Sequence, residues 1–524
     1  MIVERLSAGL VTLGLLAGPA WAQDLRVGIG HYTTSADPHF YNNSPNNAYA
    51  AHIYDRLIDR SATVEPIPGL ATSWRPVTSI LWELKLREGV TWHDGRPFTA
   101  DDVAFSFTRA RDVPNSTGGF RGFLRMIERV EVVDPLTIHF HLTQAHPLLP
   151  RDLTNIAIVS RHAGEGATTA DYNAGTAAIG TGPYRFRGYQ SASRYEFTRN
   201  DGYWGGTPAW RNVTFRAITS DPARSAALLA GDVDVIDKVP TSDIARLRRD
   251  PRIGVAEIQG LRVIYLQSDM SRTGEVPFVT DNAGTPLPRN PFLDLRVRRA
   301  LSLAIDRQAL ADRVMEGTAQ PNGQWLPPGT FGYNPEVAAP RPDPEGARRL
   351  LAEAGFPQGF RLTFHTPNDR YPNDARVAQA VAQMWTRVGI GTTVEALPTA
   401  AFAPRNARQD FAMRLGGWGS SSGEASVMIT HVIGTYDRQR GTGANNNGRY
   451  SNPALDDLTR RAMATEDDAA REALLRDAVK MAMDDVALIP LFQLTNFWAT
   501  RRDFVIAPRM DEQTTAMGVT RAPQ

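Results

Sequence analysis

Residues 80–111 constrain the fold more tightly than any other stretch. Trp82, Leu84 and Leu86 alternate with Glu83, Lys85 and Arg87. A period of two belongs to a strand with one face buried and the other in water. Glu88-Gly89 and Asp94-Gly95 each turn the chain. Thr99 then falls at a helix N-cap, with Asp101 and Asp102 in the first turn. Free N–H groups and the helix dipole favour negative charge there. Val103, Ala104 and Phe107 form the face this helix is expected to bury. The product is strand, turn, strand and capped helix.

Similar signals recur along the chain. Leu25, Val27 and Ile29 alternate as a first strand, and residues 48–57 read as a helix. Residues 130–133 and 137–142 are strands joined at the Asp134-Pro135 turn. Asp221-Pro222 places Asp at the N-cap and Pro at the first position of a helix that Gly231 ends. Residues 262–267 read as a short apolar strand after Gly260. From residue 295 the pattern changes. Helices are expected at 295–310, at 344–354 after Asp343, at 373–388 and, as one long amphipathic unit, at 457–487. Strands fall at 360–365 and 392–396. Alternating helices and strands predict βαβ units and a largely parallel sheet.

Bulk properties exclude several classes. A chain of 524 residues has room for two or three domains. Cysteine is absent, which removes disulfides, thiol catalysis, Cys-ligated metals and a lipidated N-terminal Cys. The net charge is +1, and Lys occurs only at Lys85, Lys238 and Lys480. No basic tail or stripe points to nucleic acid. Residues 1–22 carry Arg5, an apolar run from Leu6 to Ala20 and a small-x-small site at Ala20-Trp21-Ala22. That pattern reads as a cleaved secretory signal, leaving a mature chain that starts at Gln23 in the periplasm.

Catalytic motifs are sparse. No Walker motif and no Gly-x-Gly-x-x-Gly after a strand occur. Gly419-Ser420-Ser421-Ser422-Gly423 fits the Gly-x-Ser-x-Gly elbow of serine hydrolases. The elbow needs a strand before it, a helix after it, and an acid and a His later. His431 is the only histidine beyond Ser421, and no clear helix starts at Gly423, so a hydrolase is a remote alternative. His139 and His141 share one strand face, but no third metal ligand lies close in sequence. Such a pair reads as a solvated face, since zinc sites take three or four ligands.

The wording of residues 86–111, "LREGVTWHDGRPFTADDVAFSFTRAR", resembles the signature segment of the bacterial extracellular solute-binding proteins of the oligopeptide/dipeptide/nickel family, the capture subunits of ABC importers. "ADPHFYN" (36–42), "PIPGLATSW" (66–74), "IGTGPYRFRGY" (179–189), "RNDGYWGG" (199–206), "RVRRALSLAIDRQAL" (296–310) and "LIPLFQLTNFWAT" (488–500) extend the resemblance over the mature chain. It implies an α/β fold of two lobes with a hinge and an extra inserted domain. Lobe I would combine 23–58, 177–265 and 488–524, with the inserted domain at 59–176 and lobe II at 266–487.

The resemblance also implies ligand-binding residues. His39, Phe40 and Asn42 lie in the loop that lines the family's cleft. Trp418, Gly419 and Ser420 lie in "GGWGSSSGEAS" (416–426), the Gly-Trp segment that faces the ligand. Glu424 falls near the acidic residue that pairs with a peptide's α-ammonium, but Ala-Ser follows it where the family has Pro-Asp. Arg370, in "HTPNDRYPNDARVAQAV" (365–381), takes the place of an Arg that meets the ligand carboxylate. Its fork suits bidentate pairing. The expectation is binding without catalysis and without a cofactor or metal, by a monomer. Its partners would be a small peptide or peptide-like solute and the ABC permease of the inner membrane. A metal chelate, haem or another non-peptide solute on the same fold is the alternative. N-terminal sequencing of the periplasmic form should start at Gln23; an intact Met1 in a membrane fraction would contradict the signal reading.

Overall fold

Two long strands, Ile253–Ser268 and Ile489–Arg501, run antiparallel along each other through the middle of the molecule. The computed structural model describes residues 24–116, 118–420 and 422–523. The signal expected at residues 1–22 and its cleavage point at Gln23 lie outside the described residues, as does Ser421. The first crossing strand begins well before the short strand expected at 262–267. Gly254 and Gly260 hide it from a reading based on apolar runs.

Around this pair a twelve-stranded sheet is assembled. On one side follow Val235–Asp237, Asp24–Ile29, Asn212–Ala217, Arg194–Arg199 and Tyr184–Gln190; on the other, Met413–Gly419, Phe360–Pro367 and Val279–Thr280. Parallel pairing holds between Asp24–Ile29 and its two neighbours, and between Phe360–Pro367 and the strands Ile390–Leu397 and Met413–Gly419. The remaining ladders are antiparallel, so the sheet is mixed and not largely parallel. Hairpins and the crossing pair outnumber the βαβ units that the helix–strand alternation announced.

Each side has its own apolar core. Leu25, Val27, Tyr49, Phe197, Phe215 and Trp498 are sealed in one. Val297, Leu301, Phe364, Val381 and Trp385 are sealed in another, with a satellite around Met428, Leu455 and Val479. A separate four-stranded sheet, in the order Ala71–Thr78, Leu81–Leu86, Thr137–Leu142, Ile127–Asp134, closes a third core with the helix Ala100–Arg111. That helix has the expected cap. Thr99 receives the third-position amide, and the Asp102 carboxylate receives the Thr99 N–H at 3.0 Å. Ala104 is only half-buried; Asp102, Val103, Ser106, Phe107 and Ala110 form the inner face. Residues 156–159 thread between cores: Ile156 and Ile158 face the third, Ala157 and Val159 the first.

Helix boundaries depart from the expected ones where a side chain caps the backbone. The first helix is Ser44–Ile53, started by Asn43, whose side chain accepts from the Asn46 amide. Ser220, not Asp221, is the N-cap of Asp221–Ala230. The long helix expected at 457–487 is two helices, Pro453–Ala464 and Asp468–Asp484, because Asp467 accepts from the Ala470 amide at 2.8 Å and restarts the chain. Helix 295–310 likewise stops at Leu303, and Asp306 caps a new turn.

Burial holds the imidazoles of His31, His39, His52 and His93 down at about 4. His52 shows the reason. One ring nitrogen lies 2.8 Å from the Ala48 carbonyl, the other accepts the Ala516 amide at 3.0 Å, and the ring stacks on Phe197. A second ring proton would point at an N–H. In the unfolded chain histidine titrates near 6.5. Between pH 6.5 and 4 the unfolded state therefore binds protons that the folded state refuses. This contribution is intact above 6.5 and is lost as pH falls through the window. Asp55 acts in the opposite sense. Burial lifts its carboxyl to about 6 against hydrogen bonds from Trp204, Thr181 and Tyr203. Burial also raises the Asp374 carboxyl and lowers the imidazoles of His365 and His431, so the depressed histidines outnumber the raised carboxyls and set the sign. The melting temperature should fall steadily from pH 6.5 to 4.5, each excluded proton costing at most about 3 kcal/mol near pH 4. Scanning calorimetry checks this; a flat or rising midpoint would refute it.

Candidate functional site

The ground between the two sides of the sheet gathers side chains from distant parts of the chain. Trp418 ends the strand Met413–Gly419, opposite Val263 of the first crossing strand. Its ring is half-buried, and its Nε1 is enclosed without a hydrogen-bond partner. A buried donor left unpaired costs about 1–3 kcal/mol. His431 lies beside it, ring centres 6.3 Å apart. Burial lowers the His431 pKa, with Asp152 drawing it up and Arg125 pushing it down. Both charges come from the stretch that includes the four-stranded sheet, so His431 faces that part of the chain.

A second group of charges surrounds the bulge of the crossing strands. Arg262 donates to Glu512 at 2.9 Å. Burial pushes the Glu512 carboxyl up, but Arg262, Lys238 and Arg370 together outweigh it and hold the carboxyl below its usual range. Arg370 is the member of this group that comes from 266–487. It is exposed, with its guanidinium 5.6 Å from the Tyr371 ring. Its amide and that of Tyr371 both donate to Asp374 at 3.1 Å, which fixes the turn that presents it. The Tyr371 hydroxyl donates to Gly417 O at 3.2 Å, tying this turn to the Trp418 strand.

The other residues expected to touch a ligand are placed differently. Glu424 is fully buried and already paired: Arg471 donates to it at 2.8 Å and Ser426 at 2.5 Å. Arg471 is itself stacked on Phe331. Ser420 is buried against Ser422 and the Glu424 carbonyl, and Gly419 faces the Arg262 guanidinium. His39 is sealed in the first core's wall. Its Nε2 hydrogen-bonds Ala157 O at 2.8 Å, and its Nδ1 accepts from Arg109, which also grips Asp37. Phe40 and Asn42 are half-buried; the Phe40 carbonyl accepts from Ser116, and the Asn42 carboxamide from Asn47. A strand precedes Gly419 and a helical turn, Ala425–Met428, follows Gly423, contrary to the expectation that no helix starts there.

Sequence reasoning missed Arg151 and Val64. Arg151 reaches from the segment 59–176 to the Ser422 carbonyl at 2.6 Å, with Glu65 at 2.8 Å and Glu424 at 3.9 Å. Val64 has φ of +62°, a left-handed conformation that β-branched residues avoid. Its side chain fills the space beside Gly423, where an added Cβ would lie 2.6 Å from Val64 Cγ2. Arg125 similarly donates to Arg440 O at 2.8 Å. A recess of about 310 Å³ opens here, lined by Glu65, Arg151, Phe331 and Arg476 among others. A solvated loop Arg and a cross-boundary Arg look alike in sequence; the backbone strain at Val64 leaves no mark in sequence either.

Comparison with known proteins puts this geometry in context. A family model described as bacterial extracellular solute-binding proteins, family 5, matches residues 65–439. The chain is similar to the dipeptide-binding protein of Escherichia coli K12, 27% identical over 97% of this chain and 98% of that protein. It is 28% identical to heme-binding protein A of Haemophilus influenzae, over 86% of this chain and 83% of that one. Among solved structures, HbpA2 from Haemophilus parasuis superposes with a TM-score of 0.80 at 26% identity, covering 95% of this chain and 100% of that one.

The buried Glu424–Arg471 pair makes a direct prediction. Glu424→Gln leaves Arg471 buried with only the exposed Asp468 as a counter-charge. It should destabilise the ligand-free protein by about 3 kcal/mol, the scale for breaking a buried ion pair from one side. Urea unfolding measures it; an unchanged midpoint would mean that the pair carries no stability.

Proposed function

This chain belongs to the bacterial extracellular solute-binding proteins of family 5, and from that premise we propose that it is the periplasmic substrate-binding component of an ABC importer. It takes a peptide-like solute between its two lobes and delivers it to the membrane permease. The observation that carries this reading is the family match over 65–439, joined to a sheet whose two halves are paired through the crossing strands. The chain works as a monomer, exported through the signal at 1–22, and performs no turnover; Ser421 has no catalytic part. Lobe I comprises 23–58, 177–265 and 488–524, lobe II 266–487, and 59–176 forms the inserted domain with the four-stranded sheet.

Function follows from closure. Ligand at the boundary binds the closed arrangement more tightly than the open one and shifts the population by that difference. Two features suit a peptide. The partnerless Trp418 Nε1 offers a hydrogen bond to a carbonyl oxygen. The Arg370 guanidinium offers a carboxylate the cation it needs once water is excluded.

A second reading has one specific support. Glu424 is already neutralised by Arg471, so this carboxylate does not wait for an α-ammonium. That favours a solute without a free amino terminus, such as haem or a metal chelate, and heme-binding protein A is among the relatives. Mass spectrometry of the solute that co-purifies from periplasm separates the two. For a peptide, Arg370→Ala should weaken binding by about 2–5 kcal/mol in calorimetric titration while leaving the empty protein's melting temperature unchanged. Arg370→Lys should recover part of the loss, and the peptide amide should bind wild type poorly. Unchanged affinity in Arg370→Ala would remove this residue from the site and favour a solute without a carboxylate.

A further inference from the structure

The outer face of the four-stranded sheet carries a group of side chains that the solute-binding reading does not use. In the central strand Thr137–Leu142, Ile138, Phe140 and Leu142 point into the core and are at most 2% exposed. His139 and His141 therefore point out. The neighbouring strands supply the acids that the sequence around the histidines lacks. Glu131 lies directly across from His139 on one side, and Glu83 directly across on the other. His141 Nε2 is 2.5 Å from Glu131 Oε2, and His139 Nε2 is 3.4 Å from Glu83 Oε2. One ligand atom from each of Glu131, His139 and His141 lies within 4.8 Å of the others.

We propose that Glu131, His139 and His141 form a surface site for a divalent cation that prefers imidazole, zinc first, with Glu83 or water at the fourth position. Two imidazoles and a carboxylate are an established zinc donor set, with bonds of about 2.0–2.2 Å in a tetrahedral arrangement. Imidazole nitrogen selects zinc, copper and nickel over magnesium and calcium. The strand is pinned by the core beneath, so the ligands start near each other at little ordering cost. The four groups are 16–41% exposed, which leaves the site open to solvent.

The neighbouring cations define what the metal must displace. Arg75 holds Glu83 Oε1 at 2.7 Å, and Lys85 stands 3.6 Å from Glu83. Arg129 donates to Glu131 at 2.9 Å and to His141 Nδ1 at 3.3 Å. Since guanidinium only donates, His141 Nδ1 is the acceptor and Nε2 carries the ring proton that Glu131 receives. A cation bound between Nε2 and Oε2 replaces that proton. The ring proton then sits on Nδ1, facing Arg129. Arg129 is 55% exposed and free to turn into solvent, so it is a competitor of the metal and not a support.

Titration calorimetry of untagged, chelator-stripped protein with zinc chloride tests the site. Wild type should take up one equivalent that magnesium does not displace. His139→Ala/His141→Ala should weaken that equivalent by at least about 10-fold, the scale on which even outer-shell partners act. Arg129→Ala keeps all three ligands and should bind zinc more tightly. If the double variant folds poorly, Glu131→Gln takes its place with the same weakening expected. An unaltered first equivalent in these ligand variants, displacement by magnesium, or weaker binding in Arg129→Ala would each overturn the site.

Discussion

The pairing of Ile253–Ser268 with Ile489–Arg501 is the interaction on which the rest of the structure depends. Residues 253–259 pair with 495–501 and belong to the first core's side; 263–266 pair with 489–493 and belong to the other. Between them the first strand advances four residues, 259 to 263, while its partner advances two, 495 to 493. The surplus is a bulge at Gly260, Leu261 and Arg262. Bulges bend a strand and suspend its ladder locally. The gap is occupied by Asn496, whose side chain would lie 2.7 Å from a Cβ at residue 260, and by the 509–512 stretch, to which Leu261 and Arg262 bond. The ladders on either side of the bulge are thus separate runs of pairing, 253–259 with 495–501 and 263–266 with 489–493.

That bulge also explains where the charges sit. Arg262 is carried by it, Glu512 by the stretch that fills it, and Arg370 faces them from the other lobe. Arg151 adds a further cation at this boundary, donating to the Ser422 carbonyl at 2.6 Å. The charge at Glu512 is thus met by a cation that the irregular stretch of strand itself carries.

Local order was legible where short-range chemistry decides it. The Thr99 cap, the Gly231 stop at φ of +79° and the Asp343 cap that accepts from Gly346 follow from residue types at fixed spacing. Long-range pairing was less legible. The hairpin closes at Asp134 and Thr137, which by simple counting would set Glu131 opposite Phe140; a register shift between Val132 and Asp134 brings it opposite His139 instead, and that shift is not legible in the sequence. Arg471 lies 47 residues beyond Glu424, and nothing local links them. Reading Glu424 as open to a ligand missed that its charge is met from inside the fold. Ser106 is polar, yet its hydroxyl lies inside the core against the Asp102 and Val159 carbonyls. Polar residues inside a core are invisible to apolar periodicity.

The first core has a consequence in time as well as in space. It joins Leu25 and Val27, near the start of the described chain, to Trp498, Phe504 and Val519, near its end. The His52 ring waits for the Ala516 amide, and the Asp24–Ile29 strand reaches the crossing pair only through Val235–Asp237. Contacts of such sequence separation form late, because closing the loop costs entropy before any contact repays it. A chain emerging from its N-terminus therefore cannot complete this core until the residues from Trp498 to Val519 have been made.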